Sequence, residues 1–228
     1  MSRELVWLFD LDNTLHDASH AIFPAINQNM NALITRVLAS QSLPAHAEAV
    51  NEVRVRYWRR YGATLLGMVR HHGVRADDFL RDAHQFDDLA AMIRAERGIA
   101  RLLRRLPGRK ILLTNAPRAY AGSVLRHLGL HRHFATHVPI ESMRVHGHWR
   151  PKPSRLMLRR LLQRQRLDAS RCVLVEDTLV NLKSAKSLGL RTVWCTAYLP
   201  RAFFRPSYAD VQVKSLHHLP KRLARLRG

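Results

Sequence analysis

The 228-residue sequence predicts an α/β protein, a parallel sheet flanked by helices, with an all-helical block inserted near its start. Three observations predict it. Leu5 to Leu11 is a continuous apolar run, as in a strand buried on both faces. Residues 17 to about 96 place apolar side chains at helical spacing throughout. From Gly98 onward, strand-like and helix-like stretches alternate, the pattern of a parallel sheet covered on both sides. Residues 1–16 and 97–228 therefore form the α/β core, and residues 17–96 the helical insert.

Taken in order, "VWLFDLDNTL" is the first strand, ending in Asp10 and Asp12. "HAIFPAINQNMNALITRVL" and "AEAVNEVRVRYWRRYGATLLGMVRHHG" both repeat apolar residues helically. "ADDFLRDAH" begins with acids, which suit a helix N-terminus. In this block Tyr57 and Trp58 are expected in the core, and Gly62 and Gly67 to allow a turn or a close helix contact. "IARLLRRL" then leads through Pro107-Gly108 to the strand "KILLTNA". "RAYAGSVLRHLGL" is a helix, "FATHVPI" a strand, and "HGHWRPKPS" a loop. "SRLMLRRLLQRQ", "CVLVEDT", "VNLKSAKSLGL" and "TVWCTA" continue the alternation, followed by a short strand "DVQVKSL" and a basic helix "LPKRLARLRG".

Composition narrows the class. Mean hydropathy is −0.24, with 46% hydrophobic residues, ordinary values for a water-soluble domain. No apolar stretch reaches the length of a membrane span and the start lacks a signal-peptide pattern, so a cytoplasmic protein without membrane insertion is expected. Cys172 and Cys195 lie in apolar runs and read as reduced core thiols. The net charge of +21 is uneven: residues 1–96 hold 10 basic and 12 acidic side chains, residues 97–228 hold 28 and 5. Such a surface attracts phosphorylated molecules or nucleic acid. Because 32 of the 38 basic residues are Arg, biased usage on solvated helix faces explains the charge better than a nucleic-acid function does, and nucleic-acid binding is not expected.

Ligands of an open parallel sheet bind beyond the carboxyl ends of its strands. Those ends deliver Asp10 and Asp12, then Thr114 and Asn115, then Lys152 from a loop, then Glu176 and Asp177, with Asn181 one turn later. Burying two carboxylates is costly unless a cation accompanies them. Asp10 and Asp177, from separate strands, suit a hard octahedral ion such as Mg²⁺. Lys152 adds positive charge against a developing negative one. A calcium loop starting at Asp10 fails, because its sixth and twelfth positions are Leu15 and Ala21 rather than Gly and Glu. The histidines of "HGHWRP" and the His71-His72 pair lack a third ligand and read as surface residues.

"DLDNT", "LLTNA", "RPKPS" and "VEDTLVN", in this order, resemble the four motifs of the haloacid dehalogenase (HAD) superfamily. The resemblance implies a Rossmann-like HAD core with a C1-type cap, and a Mg²⁺-dependent phosphatase that works through an aspartyl-phosphate. It casts Asp10 as the nucleophile, and Asp12 as the acid to the leaving oxygen and then the base to water, with its backbone carbonyl on the metal. Thr114 would hold phosphoryl oxygens, and Lys152 would steady nucleophile and phosphate. Asp177 would bind Mg²⁺ directly, Glu176 through water, and Asn181 would orient Lys152 or the metal's waters. Dehalogenases of the superfamily lack an equivalent of Asp12, so a phosphatase is implied. "YWRRYGATLLGMVRHHG", "FDLDNTL" and "TNA" resemble the pyrimidine 5′-nucleotidase branch. That implies UMP- or CMP-like substrates, with Tyr61 and Thr64 at the base and Asn115 and Arg118 at phosphate or ribose. His16 stands where this branch often has Tyr. The alternatives are a phosphatase for another small ester, such as phosphoglycolate or a sugar phosphate, and a basic nucleic-acid-binding protein on the same scaffold.

Overall fold

The computed structural model describes residues 5–200 and 204–227. The chain divides into two compact units, one of residues 1–18 and 93–228 and the other Ser19–Met92.

Strand β1 (Val6–Phe9) opens the first unit, and all of its neighbours run parallel to it. The second unit follows: α1 (Ile22–Ser40), α2 (Ala47–Tyr61), α3 (Thr64–His72), α4 (Ala76–Ala83) and the single turn α5 (Leu89–Met92). The return to the first unit is tied at its base by the Asp17 amide, which donates to the Arg94 carbonyl at 2.7 Å. Then come α6 (Ile99–Arg105), β2 (Arg109–Leu113), α7 (Arg118–His127), β3 (Thr136–Val138), the two-residue strands β4 (Arg144–Val145) and β5 (His148–Trp149), and α8 (Arg155–Arg164). β6 (Cys172–Glu176), α9 (Leu179–Lys186), β7 (Arg191–Cys195), β8 (Val211–Val213) and α10 (Leu223–Arg227) complete it.

The sheet order is β3-β2-β1-β6-β7-β8, entirely parallel. Its central strands are apolar on both faces because helices cover both: all five residues of β6 are buried. One face packs Leu8, Ile111 and Leu174 against Met157, Leu158 and Leu161 of α8 and Leu182 of α9. On β1, Trp7 and Phe9 stack with ring centroids 6.0 Å apart, and Phe9 meets the edge of Phe134. From β1 the chain builds outward through β2 and β3, then returns to build β6, β7 and β8 on the other side. The order therefore reverses between β1 and β6, which opens a crevice at their carboxyl ends.

Gly62 makes the turn that the sequence allows there: its φ of +80° ends α2 in the left-handed region open to glycine. Gly67 on α3 lies so close to α2 that a Cβ there would stand 2.0 Å from the Tyr57 ring. Trp58 is 59% exposed rather than in the core. The buried stripe of α2 is Val50, Val53 and Tyr57, and the next residue is rotated about 100° away from it. β4 and β5 form an antiparallel hairpin that includes part of the expected loop, with the Arg144 guanidinium 4.2 Å above the Trp149 ring. No helix among the described residues is long and apolar enough to cross a membrane.

Candidate active site

β1 ends at Phe9, and the Asp10 amide extends the ladder by donating to the Val175 carbonyl of β6 at 3.0 Å. Asp10 is thereby fixed beside Glu176 and Asp177, at the reversal of the strand order. Immediately afterwards the chain turns back on itself. Thr14 and Leu15 amides both reach the Leu11 carbonyl, and Asn13 takes a φ of +56°, which Asn tolerates better than most residues. The Asn13 side chain accepts from the Ala18 amide at 3.1 Å and braces the turn. This keeps Asp12 at the strand end.

Lys152 is the centre of the site. Its Nζ donates to Asp10 Oδ1 and to Glu176 Oε2, each at 2.7 Å, and its side chain is only 4% exposed. The loop that carries it is held by Asn115. The Asn115 Nδ2 donates to the Lys152 carbonyl at 3.0 Å, and the Lys152 amide donates to Asn115 Oδ1 at 2.9 Å. The Lys152–Pro153 peptide is cis, Ser184 Oγ donates to the Pro153 carbonyl, and Ser154 caps α8 by accepting from the Met157 amide at 3.3 Å. Thr114, buried just past β2, donates its amide to the Val138 carbonyl, and its Oγ1 accepts from the Ala116 amide at 3.0 Å.

The electrostatics follow from burial. Asp10 is pushed well above the ordinary carboxyl range by burial first and by the Glu176 charge next, with Lys152 pulling the other way. Asp177 is pushed up to about 8 by burial and then by Glu176. Burial is the largest influence on Glu176 and works to raise it, but the adjacent Lys152 charge and the hydrogen bonds with Asp177, Lys152 and Asp10 together outweigh it and hold the carboxyl below its usual range. Burial would lower Lys152, yet Asp10 and Glu176 together hold it above its usual value. One ammonium therefore faces several carboxyls that repel one another.

Carboxylate oxygens of Asp10, Glu176 and Asp177 all lie within 4.8 Å of one another. A divalent cation fits this donor set: oxygen ligands close together, and two carboxyls driven up by burial and then by the Glu176 charge, both of which a cation would offset. Asn181 is buried in the first turn of α9, but the bonds of Lys152 go to Asp10, Glu176 and Asn115.

Two residues at the site were not assigned a role from the sequence. The Tyr120 hydroxyl donates to Asp12 Oδ1 at 2.7 Å, and His16 Nε2 lies 2.9 Å from the same oxygen. Tyr120 reads in sequence as one more apolar-face residue of α7. His16 had a signal in its spacing of four residues from Asp12.

The residues expected at the substrate are placed as follows. Arg118 is exposed at the start of α7, with its amide bonded to Glu141 and its guanidinium 3.4 Å from Ser142 Oγ. Asn115 spends both ends of its amide on the Lys152 backbone. In the helical unit, Thr64 is buried and donates to the Arg54 carbonyl at 3.1 Å. Tyr61 shares a 2.6 Å hydrogen bond with His71, and Arg60 and Arg70 lie 5.5 and 5.9 Å from its ring centre.

A sequence model described as "haloacid dehalogenase-like hydrolase" matches residues 6–189. Among solved structures, the fold is similar to a HAD phosphatase from Thermococcus onnurineus, with a TM-score of 0.65, 18% identity, and 99% of this chain and 100% of that chain covered. It is also similar to a 2-haloacid dehalogenase from Pseudomonas syringae pv. Tomato DC3000, with a TM-score of 0.59, 22% identity and coverage of 97% and 99%. A third is the HAD-hydrolase YfnB from Bacillus subtilis bound to magnesium, with a TM-score of 0.59, 18% identity and coverage of 98% and 100%.

Proposed function

Because the chain belongs to the haloacid dehalogenase-like hydrolase family, we propose that it is a Mg²⁺-dependent phosphatase of small phosphate monoesters, and that pyrimidine nucleoside 5′-monophosphates are its substrates. Phosphatase is favoured over dehalogenase by one observation, Asp12. A halide leaves without a proton, whereas an ester oxygen needs one, and Asp12 is a carboxyl two residues from Asp10 held by hydrogen bonds at the strand end.

Asp10, Asp177 and Glu176 would hold the metal, which when bound supplies positive charge to the substrate's phosphoryl oxygens. The chain's own residues do the rest. A carboxylate oxygen of Asp10 bonds to phosphorus while the ester P–O bond breaks, and the departing oxygen takes the proton of Asp12. Water then attacks phosphorus and breaks the bond to Asp10. Its proton passes to Asp12, and inorganic phosphate leaves with the protonation state of the site restored. Lys152, fixed between Asp10 and Glu176, orients the nucleophile and favours its ionised form against burial and the Glu176 charge. Thr114, anchored by its backbone to β3, stands at the next strand end to receive the phosphoryl group.

The pyrimidine assignment is supported by the likeness of residues 57–73 to the nucleotidase branch, and a cytoplasmic location by the two buried free cysteines, Cys172 and Cys195. A phosphate-release screen with Mg²⁺ across UMP, CMP, phosphoglycolate and sugar phosphates tests it. Preferred turnover of UMP or CMP is the expected result. Equal turnover of all esters removes the nucleotide assignment, and no release from any ester removes the phosphatase.

A further inference from the structure

We infer that His16 and Tyr120 are positioning residues that aim the carboxyl of Asp12 at the leaving oxygen, so that their contribution to turnover grows with the basicity of the group expelled. This inference rests on the phosphatase reading and deepens it.

Both side chains converge on one atom. Tyr120 donates its hydroxyl to Asp12 Oδ1 at 2.7 Å, from α7 and 108 positions away in the chain. His16 Nε2 meets the same oxygen at 2.9 Å from the turn that follows β1. The two donors lie beside each other, 3.4 Å from Nε2 to hydroxyl, with ring centres 6.4 Å apart. His16 is fully buried and Tyr120 is 3% exposed. Two donors that approach one carboxylate oxygen from different directions fix the plane of the group, and hence the direction of its second oxygen.

The ring of His16 is itself locked. Its backbone bridges to Asp12, and among the described residues its buried Nδ1 has no partner, so the ring is held through Nε2. Tyr120 is also a committed donor. A phenol carries its proton at neutral pH, and the carboxylate oxygen of Asp12 accepts it in the hydrogen bond. Neither side chain is needed to hold Asp10, Lys152 or Glu176, which form their own network. The arrangement therefore serves one carboxyl, the one that must deliver a proton along a defined line.

The test is the dependence of kcat/KM on the leaving group, measured over aryl phosphates of graded phenol basicity and one alkyl phosphate. In Tyr120→Phe and His16→Leu, the alkyl ester is expected to lose about tenfold or more, while p-nitrophenyl phosphate, which expels a stable anion, changes little. His16→Gln, which returns an amide donor near Nε2, is expected to recover part of the loss. In an Asp12→Asn background, neither substitution should lower the rate further. Equal losses across the series, or additional losses in the Asp12→Asn background, overturn the inference. Tyr120→Phe removes one oxygen and keeps the ring, so it carries the test even if His16→Leu fails to fold. Wild-type turnover that Asp10→Asn abolishes, combined with an unchanged leaving-group response in Tyr120→Phe, sinks the positioning role alone. A wild type that releases phosphate from no ester removes the parent reading and this one together.

Discussion

Lys152 Nζ meets Asp10 Oδ1 at 2.7 Å across 142 positions of sequence, and both side chains are nearly sealed from water. The contact joins a loop to the end of the central strand, and Glu176 completes it from the neighbouring strand. A buried ammonium between two carboxyls is tolerated only because each charge answers another.

Lys152→Met should therefore destabilise the protein at neutral pH by about 3–5 kcal/mol, the usual consequence of stranding a buried charge, and abolish turnover. Glu176 sets the pH dependence. Lys152 holds it below its usual range, so the stability it contributes is fully present above about pH 4.3 and is lost as pH falls through the depressed folded value. Urea unfolding of wild type and variant should diverge most near neutrality and converge in acid. Equal midpoints at pH 7 would contradict the account.

Asp10→Asn removes the proposed nucleophile and one of the charges that repel one another, while keeping an oxygen for Lys152. Turnover should vanish, yet the metal-free thermal midpoint should equal or exceed that of the wild type, because burial and Glu176 both disfavour the Asp10 charge. A midpoint several degrees lower would mean that the lysine contact outweighs the repulsion.

Asp177, raised to about 8, couples metal binding to pH. In the metal-free protein the folded state keeps a proton that the unfolded state loses near pH 3.9. This group's contribution to stability therefore falls as pH rises from there through about 8. A cation must displace that proton, so Mg²⁺ affinity should increase from pH 6 to 8 and level off above. Titration calorimetry in buffers of different ionisation heat should show proton release at pH 6 that disappears by pH 9. Affinity independent of pH would remove Asp177 from the ligand set.

Gly67→Ala tests the close contact between α2 and α3. A methyl group 2.0 Å from the Tyr57 ring must force the helices apart, at a cost of about 1–3 kcal/mol. Pairing it with Tyr57→Ala should cost less than the two substitutions added separately, since the ring atoms at 2.0 and 2.3 Å go and only the Tyr57 Cβ, at 2.5 Å, stays. Strict additivity in thermal unfolding would show that the contact is unimportant.

Burial pushes the thiols of Cys172 and Cys195 up to about 12, so both stay protonated in the folded protein. A thiol reagent at pH 8 should label neither, and should label both once guanidinium unfolds the chain. Rapid native-state labelling would place one of them at the surface.

The sequence by itself determined the class of the fold and which polar side chains its strand ends carry. An apolar run buried on two faces permits little but a central parallel strand, and carboxyls placed at its end announce a cation or a paired lysine. Asp10, Thr114, Lys152 and Glu176 were legible because each occupies a strand end or an adjoining loop, where the topology alone brings them near one crevice. Local conformation was less legible. The exposure of Trp58 depends on which stripe of α2 meets its neighbours. Only the tertiary structure decided which side chains serve which. Asn115 turns out to clamp the Lys152 backbone, and Tyr120 to leave the apolar face of α7 for Asp12. Periodicity records only which side of a helix is buried. A hydroxyl inside that face acquires its partner from elements more than a hundred residues apart, so its role is set by packing and leaves no local mark in the sequence.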